Sequence, residues 1–153
     1  MRSTQQPSFA GLAGDIAGQW WPVAWGAIVV ILSFTILWAG RRAPERRGAI
    51  HFFGFLSLSV GAALYSWSYD HYLSIGCGVV ALGLAAGTPS RRAIAMATFA
   101  LFLPLALLLW LSAFWRFHDT GSGLVPLLAI VLLAAAARAV ARTTIEARGS
   151  TSG

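Results

Sequence analysis

Lysine and asparagine are missing from this chain altogether, acidic residues number only five, and there is a single cysteine. Each scarcity removes a class of chemistry. Without lysine there is no Schiff base, which excludes retinal proteins and lysine-dependent aldolases. There is also no P-loop, whose lysine reaches the phosphates. Without asparagine there is no acceptor for N-linked glycans. Cys77 alone closes no internal disulfide and builds no thiolate metal site; within an apolar stretch it acts as a small hydrophobe. Charge is scarce as a whole, at 10% against 58% hydrophobic residues, where soluble domains carry roughly 25% and about 45–50%. Such a chain cannot cover its own surface with polar groups. The sequence therefore predicts an integral membrane protein of 153 residues, the length of one domain.

What is present is a set of long apolar runs. Crossing hydrocarbon takes about 20 mostly apolar residues. The runs predict five spans, at about 20–39, 49–67, 72–87, 93–115 and 124–141. They are continuous rather than alternating, which argues against a barrel. Backbone groups in lipid pair within their own segment, so the expected fold is all-α, a polytopic five-helix membrane domain over 20–141. Residues 1–19 form an N-terminal outer segment; Phe9, Leu12 and Ile16 recur there at helical spacing, interrupted by Gly11, Gly14 and Gly18. Residues 142–153 read as a flexible cytoplasmic tail. A signal peptide is the competing reading of the N-terminus. However, the apolar run exceeds the usual core of about 7–15 residues, and arginines follow it instead of preceding it.

The arginines orient the spans. Arg41, Arg42, Arg46 and Arg47 follow the first span, Arg91 and Arg92 precede the fourth, and Arg138, Arg142 and Arg148 end the chain. With an odd number of spans these nine of eleven arginines fall on one side, which the positive-inside rule makes cytoplasmic. The N-terminus is then outside and the C-terminus inside. Nine arginines less Glu45 and Glu146 give +7 inside; Arg2 and Arg116 less Asp15, Asp70 and Asp119 give −1 outside. The net +6 is thus a topology signal and a contact to anionic headgroups, not a nucleic-acid footprint. Trp20, Trp21, Trp25 and Trp38 flank the first span as interfacial anchors. Arginine without lysine, with much alanine and glycine, suggests a bacterial inner membrane.

Lipid gives helices no hydrophobic push toward one another, so close approach needs small residues. Gly76, Gly78, Gly83 and Gly87 in the third span, and Gly54, Ser57 and Gly61 along the second, mark those two as a closely packed pair. Use of the same surface for self-association is the alternative. Pro104, midway along the fourth span, should kink it and free the carbonyl of Ala100.

Few residues offer chemistry. The outer loops carry a mirrored set, Asp70-His71 and His118-Asp119. Two imidazoles and two carboxylates on one face could hold zinc or copper, or respond to pH; the competing reading is polar residues capping helix ends. His51, beside Phe52 and Phe53, could ligate haem or touch a quinone, although a second histidine at its depth would have to come from another copy or a partner. The span cores carry no acidic residue, and their serines and threonines tend to bond their own helix. No hydrolase triad or metalloprotease histidine pair exists, and no cofactor is required. The leading expectation is a non-catalytic accessory or scaffold subunit of a larger membrane complex, with the bilayer and a membrane-protein partner or second copy as its contacts. An oligomeric transporter or channel comes next, and a metal or redox protein built on the outer histidines third.

Overall fold

The computed structural model describes residues 9–63, 72–86, 88, 90–113 and 124–150. Among these, 95% are helical and none lies in a strand. The helices are α1 (Phe9–Ala17), α2 (Trp21–Arg42), α3 (Arg47–Ala62), α4 (Ile75–Ala85), α5 (Arg91–Ala113) and α6 (Leu124–Ser150).

Local chemistry sets the boundaries. Gly18 adopts φ +54°, a left-handed conformation open to glycine, and there α1 ends before a short 3₁₀ turn leads into α2. Pro22 sits in the first turn of α2, where its missing N–H leaves nothing unpaired. The Ser90 hydroxyl accepts the backbone N–H of Ala93 at 3.3 Å and caps α5. The segment 142–153, expected as a tail, continues as helix to Ser150, because Ala-Arg-Thr-Thr-Ile-Glu-Ala-Arg holds no breaker before Gly149.

Three segments are long and apolar enough to cross a bilayer: Gly18–Arg42, Arg91–Trp110 and Leu124–Thr143. They match the first, fourth and fifth expected spans. The second and third expected spans fold as shorter helices. The 16 residues of α3 and 11 of α4 rise roughly 24 and 16 Å against a hydrocarbon core of about 30 Å.

Pair contacts fix the registers. Gly40 meets His51, Gly54 meets Ile36, and the Trp25 Nε1–H donates to the Ala62 carbonyl at 3.3 Å, so α3 runs antiparallel along α2. Phe53 fills the space beside Gly76, while the Ser57 and Ser74 hydroxyls bond at 2.8 Å, which sets α4 antiparallel to α3. Gly78 faces the backbone of Ala100 and Leu101. Extending that register places Ile75 level with Pro104, so α4 lines only the arginine-rich half of α5.

α6 is the central helix and contacts α2, α3, α4 and α5. Half of its apolar window is buried, against 22% for α2 and 28% for α5. Small side chains make this possible: Ala129, Ala136 and Ala137 of α6 and Ala93, Ala97 and Ala100 of α5 are fully buried. The helix axes can approach closely on such a surface, and dispersion between backbones contributes to the contact.

Candidate functional site

The small residues predicted to join the second and third spans each make room for a particular neighbour. A methyl at Gly54 would lie 2.9 Å from Ile36 of α2, and one at Gly61 would overlap the Phe9 ring of α1. These two glycines therefore serve α2 and α1. On α4, Gly76 receives Phe53 of α3, and a methyl at Gly78 would lie 2.5 Å from the Leu101 Cα of α5. Gly83 has nothing within 4 Å of its Cβ direction and faces outward. Gly87 lies outside the described residues.

Pro104 is buried, and α5 continues through it as one helix. Proline has no N–H to give the carbonyl four residues earlier, that of Ala100. That carbonyl lies where a Gly78 side chain would sit, 2.8 Å from the methyl position. The proline of α5 and the glycine of α4 thus form one contact, in which a carbonyl without its usual helical donor meets a surface that has no side chain.

The serines and threonines divide. Ser33, Thr35 and Thr98 donate to carbonyls one turn back, at 2.8, 2.8 and 2.9 Å, as their helical setting predicts. Ser57 and Ser74 instead bond each other in a buried pair that joins α3 to α4. Sequence reasoning assigned each to its own helix. The stripe that Ser57 shares with Gly54 and Gly61 already placed it on a packed face; its bond to Ser74 was not foreseen. The Cys77 thiol is buried beside this pair and donates to the Phe53 carbonyl at 3.4 Å.

Asp70, His71, His118 and Asp119 lie outside the described residues, and among the described residues no group of three His, Cys, Asp or Glu gathers to hold a metal. His51 is placed clearly. Its ring enters the notch left by Gly40, its Nε2 is buried without a hydrogen-bond partner among the described residues, and Phe55 packs edge-on at 6.2 Å. That nitrogen faces the backbone of α2, with no space for a haem or quinone ring. A buried imidazole nitrogen without a partner costs about 1–3 kcal/mol.

Among the described residues, the most polar geometry is at the arginine-rich end. Arg41 and Arg42 occupy the last turn of α2, Arg46 precedes and Arg47 begins α3, Arg91 and Arg92 open α5, and Arg138 and Arg142 lie one turn apart on α6. The pair on α2 complements the negative end of that helix dipole. The pair on α5 opposes its dipole by about 0.3–1 kcal/mol per charge, so helix stability does not account for it. Between α2 and α6 a cavity of about 280 Å³ is lined by Arg42, Arg138, Ala141 and Arg142. The Arg42 guanidinium stacks over Trp38, 5.2 Å from the ring centroid. Among the described residues, no acidic one lines the cavity. The like-charged pair on α6 costs roughly 0.2–0.5 kcal/mol, and the dipole of α2 returns only about half a negative charge.

Comparison with protein-family models, curated proteins and solved structures yields no match for this chain.

Proposed function

We propose that the chain is a non-catalytic integral membrane subunit that scaffolds a larger membrane complex, with its N-terminus outside and its arginine-rich end and C-terminus on the cytoplasmic side of a bacterial inner membrane. One observation carries this reading: side-chain size is inverted relative to a soluble core. Alanine dominates the main buried cluster, while Phe34 of α2, Phe52 of α3, and Phe99, Phe102 and Trp110 of α5 point outward. A solid interior of small residues supports a structural role over a conduit. The outward aromatic faces supply contact area to lipid and to neighbouring helices.

In this reading α2, α5 and α6 cross the bilayer, and α3 with α4 forms a hairpin entered from the cytoplasmic side. Such a hairpin leaves Arg91 and Arg92 on the same side as Arg41 and Arg42, as two full crossings would, so the arginine asymmetry fits both arrangements. Extraction in a gentle detergent followed by native mass measurement tests the scaffold role. The expected result is a complex of fixed stoichiometry with a different membrane protein; a lone monomer contradicts it.

A second reading, an oligomeric transporter, is favoured by the open surface at Gly83, next to exposed Val79 on α4. Gly83→Leu should then disrupt both the oligomer and solute flux, and leaving both unchanged counts against it.

A further inference from the structure

We propose that the cavity between α2 and α6 is a binding site for the phosphate of an anionic phospholipid headgroup. The inference rests on the membrane-embedded reading above. Its donors come from two helices: Arg42 from the end of α2, and Arg138 with Arg142 from successive turns of α6. Guanidinium forks match phosphate oxygens with paired hydrogen bonds. Three of them in a lining that, among the described residues, holds no acidic one leave a local excess of positive charge, which an anion relieves. Arg42 is already held in place by its stacking on Trp38, so less freedom is lost when it binds.

Position selects the lipid over a soluble anion. The apolar segments of α2 and α6 end at Arg42 and Thr143, so the cavity opens at the depth where hydrocarbon gives way to headgroups. Trp38 is an aromatic of the kind that settles in that layer, and Ala141 adds an apolar wall. The volume of about 280 Å³ lies just under the roughly 300–1,000 Å³ of typical small-molecule pockets. It suits a phosphodiester with its glycerol better than a nucleotide. Arg91 and Arg92 share this end of the bundle but do not line the cavity, which gives an internal control.

The test uses the full chain in phosphatidylcholine nanodiscs doped with phosphatidylglycerol, with bound lipid counted by native mass spectrometry. Incorporation into pure phosphatidylcholine discs reports the membrane reading separately from the lipid preference. Wild type should retain phosphatidylglycerol in preference to phosphatidylcholine. Each surface arginine contributes roughly fivefold to anionic-lipid binding, so Arg138→Gln with Arg142→Gln should lower retention about 30-fold. Arg42→Gln alone should lower it about fivefold, whereas Arg91→Gln with Arg92→Gln should leave it unchanged. Arg138→Lys with Arg142→Lys, which keeps the charge but loses the fork, should restore only part of it; helical circular dichroism checks the fold of each variant. Equal retention of the two lipids, or an equal loss in the Arg91/Arg92 variant, overturns the proposal. So does release of the lipid by millimolar inorganic phosphate, which would mark a site for the free anion.

Discussion

The two ends of the bundle are packed with different materials. At the arginine-rich end, twelve of the seventeen buried residues in the main cluster are alanine. At the other end the clusters are Phe9, Leu32, Ile36, Leu58 and Ile130, and Leu108 with Val125. α6 passes through both, meeting the bulky clusters with Val125 and Ile130 and the small-residue cluster with Ala134, Ala136, Ala137 and Ala139. The difference follows the course of α4, which joins the bundle only over the arginine-rich half of α5. Where an extra helix has to fit, side chains shrink until backbones nearly touch; where it is missing, large side chains fill the space. Hydropathy does not distinguish the two. The windows of α6 and α2 have mean hydropathy 2.4 and 2.1, yet half of one is buried and 22% of the other. Here side-chain size rather than apolarity separates the buried helix from the exposed ones.

The contrast predicts opposite mutational responses, with added atoms harmful at one end and removed atoms harmful at the other. Gly78→Val should show the largest effect, about 3 kcal/mol of destabilisation, since the new side chain meets the backbone of α5 and no rotamer relieves it. Denaturant unfolding in mild detergent, followed by helical circular dichroism, would show this; a wild-type midpoint would mean that α4 and α5 are not in backbone contact. At the bulky end, Phe9→Ala should cost about 2.5 kcal/mol through the cavity left over Gly61. It should also expose α1 to proteolysis, and resistance equal to wild type would argue that α1 is docked by other contacts. Ser57→Ala should cost about 1 kcal/mol, and a double-mutant cycle with Ser74→Ala should return a coupling of that order if their bond joins α3 to α4. Phe34→Ala, on the outward face of α2 and 69% exposed, should stay within about 0.5 kcal/mol. A larger loss would place a protein neighbour, rather than detergent, on that face.

The helical class and the three long apolar segments were legible in the sequence, because run length and the absence of charge are read directly from the residues. The arginine clusters were legible for the same reason. Less visible was the hierarchy among helices. Ala134 to Ala139 look no more buried in the sequence than Val29 to Leu32, and only the packing makes α6 central. The glycine stripe of α3 was legible as a packed face but not in its partner, since helical spacing identifies a face and not what meets it; Gly54 and Gly61 turned out to serve α2 and α1. The third run was already short in the sequence, at 72–87, and α4 occupies only Ile75–Ala85 of it. As for the cavity, its arginines were legible as basic residues. Their convergence was not, because it joins Arg42 to residues at the far end of the chain through the packing of α2 on α6.

The central claim is a membrane-embedded bundle with its arginine-rich end in the cytoplasm. Single-cysteine labelling in intact cells tests it most directly. In a Cys77→Ala background, cysteines would be introduced one at a time at exposed Gln19, Glu45 and Ala86 and challenged with an impermeant maleimide before and after permeabilisation. The account predicts that position 19 labels in intact cells and that positions 45 and 86 label only once the membrane is opened. Labelling of positions 45 and 86 from opposite sides would contradict it.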